Sequence, residues 1–573
     1  MDTQRLILFF VFSFSLFMLW TEWEKEYRPK PVASVSTPAS TAAKSADAVP
    51  PPSVRTAVPG ISTASAVATT EPAIKGEVVQ VQTDLLDLEL DTLGASINKI
   101  ALRKHRETAD SEKHLTLLGP EHQYAAQSGL TGEGGPNHRT LWKLLPGERR
   151  LAEGKDQFEV RMRAEGRDGL SVEKIFTLKR DSYLVDVRFE LRNNGSAPIE
   201  PNAYFQLTHD GKEATPNQAA PSAAQGFLDG IKGAIEGVAR SFGAQSYLGF
   251  AAYTEEKKFQ KVTFPDLDKG KGDYVKQSKD GWVSFVQHYF VSAWIPAADQ
   301  TREFVVEKRP DGVYVARIVM PIAAIAPGAT AQISAPLFAG PQEQNRLREA
   351  APGFDLVVDY GWLAIIAWPL FWLLEKYHLL VGNWGVAIIL LTVTIKLVFF
   401  PLSAASYKSM AKMKLVTPRL TKLREMYAND RMRMNQAMME LYKTEKINPL
   451  GGCFPVLVQI PVFIALYWVL LAAIELRHAP FMLWITDLSV RDPFFVLPLL
   501  MTASMVLQTK MNPAPPDPVQ AKVMAVMPFV FSIFFFFFPA GLVLYWLVNN
   551  VLSISQQWQI QRMFEQAKAT PKR

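Results

Sequence analysis

The chain has 573 residues, of which 48% are hydrophobic and 20% are charged, and its formal net charge is +6. This length is too great for one hydrophobic core, so at least two domains are predicted. A single cysteine, Cys453, excludes an internal disulfide framework and a zinc–cysteine site, and the eight histidines show no pair at helical ligand spacing. Because nucleotide-binding, hydrolase and metalloprotease motifs are also absent, the sequence predicts a protein that is not an enzyme and has no metal or cofactor.

An apolar run, LILFFVFSFSLFMLW, follows Arg5 near the N-terminus. A cleaved signal peptide and an uncleaved signal-anchor helix both fit this run, which is short for a full membrane span. Bulky Trp23 and Tyr27 stand where a cleavage site would need small residues. The sequence therefore favours an uncleaved signal-anchor helix over residues 1–28.

The next part of the chain changes from a linker to a β pattern. Residues 29–75 are rich in Pro, Ala, Ser, Thr and Val and contain no aromatic residue, so they predict a disordered linker. From residue 76 onwards apolar and polar residues alternate, as in YLVDVRFEL, which is typical of strands. An all-β sandwich domain is predicted over residues 76–345, with a helical, Gly/Ala-rich insert around 223–242. Its polar residues form no catalytic grouping, so we expect a docking or scaffold role.

Residues 346–381 contain the apolar run YGWLAIIAWPLFWLLEKYHLL, which carries Pro369, Glu375, Lys376 and three spaced tryptophans. Tryptophans spread along such a run favour a helix that lies at the membrane–water interface on the outer side of the membrane, without crossing it. A broken membrane span is the alternative.

Five further apolar segments lie within residues 382–558, and with the N-terminal anchor they predict six membrane crossings. They cover about 383–402, 453–474, 493–508, 519–538 and 540–557. The connection 404–449 carries ten basic and four acidic residues, whereas 475–492 carries two basic and three acidic residues. The positive-inside rule therefore places 404–449, the N-terminus and the basic tail 559–573 in the cytosol, and the β domain outside.

Lys396 lies in the middle of the first of these segments, in the sequence TVTIKLVFFP. A charge at such a position costs about 3 kcal/mol on insertion-based scales. Polar side chains within spans normally face the bundle interior or a wet cavity, so the polar residues of all the segments together predict a hydrated groove. Besides Lys396 they are Thr392, Gln459, Thr502, Ser504, Gln508, Asn549, Asn550, Ser553, Gln556 and Gln557.

No Asp or Glu lies deep within the five segments, so Lys396 lacks an obvious buried counterion. The side chain could snorkel to an interface, form a Schiff base with a retinal-like aldehyde, or stay charged in a water-filled cavity. A Schiff base would need a carboxylate partner, and several apolar residues separate Lys396 from either end of its segment. The sequence therefore favours an open cavity that accepts an acidic guest.

The connection 404–449 is predicted to form two helices that break near Asn429 and Asp430. A methionine-rich surface would fit many apolar partners, whereas a simple hairpin would pack its methionines together, and the sequence leaves both interpretations open. The methionines are Met410, Met413, Met426, Met432, Met434, Met438 and Met439.

Three stretches of the apolar half resemble the YidC/Oxa/Alb family of membrane protein insertases. They are NPLGGCFPVLVQIPVFIALYWVL (448–470), LRHAPFMLWITDLSVRDPFFVLPLLM (476–501) and FPAGLVLYWLVNNVLSISQQ (538–557). The order of anchor, linker, β domain and five-helix core is similar to that of full-length family members in Gram-negative bacteria. The resemblance implies a polytopic inner-membrane insertase and chaperone that handles nascent inner-membrane proteins within the lipid bilayer. It also implies that the protein acts either alone or together with the Sec translocon and its accessory subunits. The ribosome and the signal-recognition pathway are implied as further partners, and sequence-specific binding of nucleic acid is not expected.

The resemblance assigns roles to individual residues. Its groove is open to cytosol and lipid, is closed towards the periplasm, and holds a positive residue that attracts the acidic extracellular segment of the substrate. That residue is commonly arginine, and Lys396 keeps its charge without the planar fork that binds carboxylates at two points. Substrate-helix contacts are implied for Ile460, Phe463, Phe534, Phe535, Tyr545 and Trp546. The methionines singled out for the cytosolic hairpin, from the sequence itself, are Met410, Met413, Met434 and Met438.

Two other protein classes are alternatives to an insertase. A small-solute transporter would predict inverted repeats around a midplane site, and the sequence shows no internal repeat and would leave the basic hairpin unexplained. A membrane-anchored periplasmic scaffold would depend on the β domain, so removing residues 80–340 would separate it from an insertase.

Overall fold

The computed structural model describes residues 75–107, 112–132, 134–212, 247–427, 430–445, 454–512 and 518–569. The predicted anchor, almost the whole predicted linker and the Gly/Ala-rich insert lie outside these residues. The chain divides into two compact units, with the boundary between Asp359 and Tyr360. We call them the β unit and the helical unit.

The described part of the β unit contains eighteen strands in two antiparallel nine-stranded sheets, which confirms the predicted sandwich. One sheet has the order β1-β2-β3-β5-β10-β17-β16-β13 with β4 beside β3, and the other has the order β12-β11-β14-β15-β18-β9-β8-β7-β6. The strands are β1 Val78–Gln82, β2 Leu86–Asp91, β3 Ser96–Arg106, β4 His114–Leu118, β5 Ala125–Thr131, β6 Lys143–Leu144, β7 Gln157–Glu165, β8 Leu170–Lys179, β9 Leu184–Asn193, β10 Asn202–His209, β11 Gly249–Thr254, β12 Lys258–Thr263, β13 Gln277–Ser278, β14 Trp282–Val286, β15 Phe290–Trp294, β16 Arg302–Lys308, β17 Tyr314–Pro321 and β18 Thr330–Pro341.

The core of the β unit lies between the two sheets. Along β9, Val185, Val187 and Phe189 are buried and alternate with partly exposed residues, because successive side chains of a strand point to opposite faces. The Phe189 ring lies 5.8 Å from that of Phe205 on β10, which belongs to the other sheet. This contact between aromatic rings of the two sheets is part of one apolar interior.

The β unit extends to Asp359. It includes the helices α1, Phe264–Asp268, and α2, Gln344–Ala350, and a 3₁₀ turn at Phe354–Val357. The Phe354 ring packs 4.9 Å from Trp282, whose indole nitrogen donates to Pro352 O at 3.1 Å. Because these contacts hold the chain against β14, the predicted segment 346–381 is divided between the two units.

A buried histidine that the sequence did not single out closes one end of β10. His209 is fully buried, and its Nδ1 accepts a hydrogen bond from Gly211 N–H at 2.8 Å. Its Nε2 lies 2.9 Å from the Gln287 amide, and its ring packs 4.6 Å from Tyr124. Burial lowers the pKa of His209 to about 4, and the nearby Asp210 carboxylate opposes this only in part.

We expect the β unit to lose stability in mild acid because His209 binds a proton more readily when the chain is unfolded. With a pKa of about 4 in the folded chain and about 6.5 in the unfolded chain, the histidine contributes its full stability above pH 6.5 and loses about 2 kcal/mol of it by pH 5. Hydrogen exchange of the β10 amides, measured across this range, should report the loss. His209→Asn should flatten that dependence, whereas His114→Asn should leave it; equal slopes in both variants would assign the acid sensitivity elsewhere.

The helical unit begins at a 3₁₀ turn, Gly361–Leu363, and its described part contains eight α-helices. The helix α10 packs against α4, α5, α7 and α8 and is therefore the centre of the unit. The helices are α3 Ala364–Val381, α4 Trp384–Val398, α5 Phe400–Met426, α6 Arg431–Thr444, α7 Phe454–Ala472, α8 Val496–Met511, α9 Pro518–Phe535 and α10 Ala540–Ala569.

By length and composition, one helix of the described residues, Gly361–Val381, could cross a membrane. A second candidate is the pair Trp384–Val398 and Phe400–Met413, whose axes differ by 66°. Parts of α7, α8 and α9 are apolar but shorter. The six crossings therefore stay a prediction, as does the interfacial position of α3.

The basic connection forms a hairpin of α5 and α6 that starts immediately after α4. Pro401 stands in the first turn of α5, where its missing N–H has no intrahelical partner to lose. Asp430 starts α6 by accepting a hydrogen bond from Arg433 N–H at 3.0 Å, so the break lies where the sequence predicted it.

Five of the seven hairpin methionines divide into two sets. Met413 and Met438 pack against the buried pair Val416 and Leu420, as the simple-hairpin interpretation predicts. A second set is exposed, as the partner-binding interpretation predicts: Met426, Met432 and Met439. Met410 and Met434, which the sequence singled out, are half-buried.

Candidate functional site

The polar centre of the helical unit is built around Lys396. Its side chain is only 5% exposed, and Nζ donates to Ser553 Oγ at 2.7 Å. Ser553 in turn donates to Asn549 O, one turn earlier on α10, and Tyr407 on α5 also hydrogen-bonds Ser553. The ammonium group therefore lies where α4, α5 and α10 meet, rather than snorkelling away from the bundle.

A second set of polar contacts joins α10 to α8. Asn550 Nδ2 donates to Ser504 Oγ at 2.8 Å, and Gln557 Nε2 donates to Asn512 Oδ1 at 3.0 Å. Asn550, Ser553 and Gln557 are all buried and are spaced by three and four residues, so they share one face of α10. This face binds α4, α5 and α8 through hydrogen bonds.

Other residues of the predicted groove make contacts that do not involve the Lys396 ammonium. Thr392 is fully buried and donates to Ile388 O at 2.7 Å, so its hydroxyl is satisfied within α4. Thr502 bonds Ser532 Oγ at 2.6 Å and ties α8 to α9. The half-buried residues of the predicted set are Gln459, Gln508, Asn549 and Gln556.

Most of the predicted substrate contacts pack against one another. The Phe463 ring lies 4.1 Å from Trp546 and 5.0 Å from Tyr545, and Phe535 lies 5.4 Å from Trp546. This aromatic cluster joins α7, α9 and α10. Of the remaining predicted contacts, Ile460 is exposed, and the side chain of Phe534 lies outside the described residues.

Sequence reasoning missed the exposed apolar surface of α9. That surface is offset from the aromatic cluster and includes Val526, Phe529, Val530 and Ile533. Helical periodicity could have grouped these residues, because 526, 529, 530 and 533 recur at intervals of three and four. An apolar stripe of this kind is what a helix presents to lipid or to another apolar helix.

The electrostatics of the centre are those of a cation without a resident partner. Among the described residues, no carboxylate interacts with the Lys396 ammonium. A charge in a medium of low dielectric constant interacts more strongly with an approaching opposite charge than it would in water. The described residues contain no group of His, Cys, Asp and Glu that could hold a metal ion. The arrangement is thus suited to attracting an anionic group.

Comparisons with known proteins agree with this division into two units. Residues 78–373 match the family model described as the YidC periplasmic domain, and residues 376–568 match that of the 60 kDa inner membrane protein. The chain belongs to the YidC family. A relative in Aromatoleum aromaticum, named membrane protein insertase YidC, is 50% identical over 100% of both chains.

A second relative also matches over almost the whole chain. The protein of the same name in Dechloromonas aromatica is 48% identical over 99% of this chain and 98% of its own. A crystal structure titled as an active YidC insertase with its first transmembrane domain resolved covers 84% of this chain and 93% of its own, at 16% identity and a TM-score of 0.37.

Membership of the YidC family confirms the family prediction made from the apolar half. Because the family consists of insertases, it also confirms that the chain is not an enzyme. The two family models describe a periplasmic domain and an inner membrane protein, which confirms the predicted location in the Gram-negative inner membrane with the β domain in the periplasm.

Proposed function

We propose that this YidC-family chain inserts nascent inner-membrane proteins and assists their folding, with Lys396 as the positive charge that attracts an acidic segment of the substrate. The observation that carries the proposal is the position of Lys396, buried among α4, α5 and α10 with Ser553 as its hydrogen-bond partner. A buried lysine without a carboxylate partner is energetically unfavourable, so its presence among the helices favours a function.

The physical steps of insertion do not require a nucleotide. A short polar segment of the substrate enters a polar groove, where hydrogen-bonding side chains lower the penalty for leaving water. The adjoining apolar segment enters lipid and gains about 25 cal/mol for each Å² of apolar surface removed from water. The second step offsets the first, which is why partition alone can drive transfer.

The polar lining of the groove is proposed to comprise the residues predicted for it, with Thr392 as a helix-internal member. Asn550 and Ser553 are central, because both bond across helix boundaries. Substrate helices would pass along α7 and α9, where Ile460 and Phe529 are exposed. Phe463, Phe535, Tyr545 and Trp546 would contact a substrate helix only after the aromatic cluster separates, because their rings pack against one another.

The proposed topology has six crossings, five of them in the core, with the α5–α6 hairpin and the C-terminal tail in the cytosol. The charge asymmetry between 404–449 and 475–492 supports this orientation. The hairpin exposes both methionines and basic residues, a combination that suits the ribosome and the signal-recognition pathway. The Sec translocon and its accessory subunits are proposed as partners on the family resemblance.

Removing most of the β unit should leave insertion largely intact, because the polar centre lies wholly within the helical unit. The test compares the full chain with a variant lacking residues 80–340, each reconstituted alone into liposomes. The measurement is protease protection of a single-span substrate with an acidic extracellular tail.

Complete loss of protection in the deletion variant, with normal reconstitution, would instead favour a periplasmic scaffold. Failure of the full chain to insert the substrate without Sec would refute independent insertase activity for that substrate.

A further inference from the structure

The connection between α7 and α8, residues 473–495, is a folded element that we call the α7–α8 loop. Within it, Leu488 N–H donates to Ala479 O at 3.1 Å. It is also held from outside, because Ala540 N–H donates to Val490 O at 2.7 Å and Asn383 Nδ2 donates to Phe481 O at 2.9 Å. The loop therefore has a fixed shape set by the starts of α4 and α10.

Two acidic residues of the loop are directed inward. Asp492 is 1% exposed and accepts hydrogen bonds from Leu497 N–H at 2.7 Å and from the Trp484 indole at 3.0 Å. Asp487 accepts from the Ser489 hydroxyl at 2.7 Å and lies 3.2 Å from His478 Nδ1. Neither carboxylate is exposed, so these two charges are satisfied within the fold.

Most of the exposed residues of the loop are apolar or basic. Met482 and Phe494 are exposed, and so is Arg491. Leu483 is 81% exposed and has φ +54°, in the left-handed region. Glycine or asparagine adopts this conformation with less strain, so the packing of the loop gives no reason for a leucine there.

We propose that the α7–α8 loop is a preformed lipid-docking element, in which Met482, Leu483 and Phe494 enter the acyl region of the nearer leaflet. This rests on the proposed function insofar as α7 and α8 cross the membrane, since the loop then lies at the bilayer surface. The anchoring residues serve to hold the end of the helical unit at a fixed depth in the lipid.

Three observations favour lipid over a protein partner. Phe494 is exposed just before α8, a helix with the exposed apolar residues Leu499, Leu500 and Leu507. Trp484 has an apolar ring and a satisfied indole N–H, the chemistry typical of the bilayer interface. Arg491 can extend its guanidinium to the headgroup phosphates while the neighbouring apolar residues enter the acyl region.

The test uses four single-cysteine variants in a Cys453→Ser background: Leu483→Cys, Phe494→Cys, Leu499→Cys and Thr486→Cys. Each carries a small environment-sensitive fluorophore and is reconstituted as the full chain into liposomes with or without brominated acyl chains. Leu499 is the matched control for lipid contact, and Thr486, an exposed polar residue of the same loop, is the control for water. We expect quenching at 483 and 494 to approach that at 499 and to exceed that at 486 by about twofold or more.

Each other outcome overturns the inference in a recognisable way. A label at 483 with blue-shifted emission but no quenching would mean that protein covers the site, and an unquenched, red-shifted label would mean that water does. If the label at position 499 is quenched and the label at position 483 is not, the lipid-docking inference fails while the proposed membrane crossing of α8 stands. If 499 is also unquenched, the proposed membrane crossing of α8 fails with it.

Discussion

Replacing Lys396 by glutamate is expected to lower the rate of insertion of a substrate with an acidic tail by about a hundredfold, and replacing it by alanine by about tenfold. Two unit charges about 6 Å apart attract by roughly 3 kcal/mol at an effective dielectric constant of 20, and water in the groove screens part of this. Losing about 1.4 kcal/mol of attraction gives the tenfold effect, and repulsion of similar size in the glutamate variant doubles the change in barrier. The measurement is the initial rate of protease protection in liposomes.

Lys396→Arg should be tolerated because it keeps the charge, although Ser553 must move to admit the larger guanidinium. Lys522→Glu is the matched control, since Lys522 is an exposed lysine at the start of α9 and the substitution makes the same change in net charge. A substrate with a neutral tail should be indifferent to all four substitutions. Equal insertion of the acidic substrate by the arginine, alanine and glutamate variants would exclude charge attraction for that substrate.

Much of the fold could be predicted because its periodicity is local. The alternation along β9 predicted one buried face, and Val185, Val187 and Phe189 indeed lie between the sheets. Likewise, the break between the hairpin helices could be placed from Asp430, whose short acidic side chain is well suited to starting a helix.

The pairing of polar residues across helices could not be predicted in the same way. Spacing shows that Asn550, Ser553 and Gln557 share a face of α10, but not that Ser504 bonds Asn550 or that Tyr407 bonds Ser553. Those partners depend on how the helices cross. Thr392 illustrates a polar residue that needs no partner on another helix. A threonine in a helix can donate its hydroxyl to a carbonyl of the preceding turn, so its presence in the sequence does not by itself indicate a groove.

The aromatic residues of the site illustrate a further limit. Sequence alone gives the same prediction for an aromatic ring that contacts a passing substrate and for one that packs within the protein. Tyr545 and Phe535 are buried in the cluster, whereas exposed Phe529 on the same helix as Phe535 was not singled out. Exposure follows from the rotation of each helix against its neighbours, which helical periodicity leaves undetermined when both faces are apolar.

Replacing Arg302 by methionine is expected to destabilise the β unit by about 4 kcal/mol, because five backbone carbonyls would lose their donor. The guanidinium is fully buried at the start of β16 and fills the space between several turns. Its acceptors are the carbonyl oxygens of Gln300 at 3.0 Å, Gly281 at 2.8 Å, Pro296 at 3.1 Å, Lys279 at 3.3 Å, and Ala297. Burial lowers the pKa of Arg302 to about 10, so the side chain still carries its charge at neutral pH.

The size of this effect follows from what methionine can and cannot replace. Methionine restores most of the apolar volume of the side chain. The loss of stability therefore reports the cost of leaving the carbonyls without donors rather than the cost of a cavity. The stability of Arg302→Lys should fall between that of the native protein and that of Arg302→Met, because an ammonium group has three donors at one point and cannot span the separate turns. Hydrogen exchange of the β14 and β16 amides in the full chain gives the opening free energy, with the exposed Arg149→Met as the matched control. A loss below about 1 kcal/mol in Arg302→Met would mean that water reaches these carbonyls once the guanidinium is gone, and that the turns need no arginine to hold them.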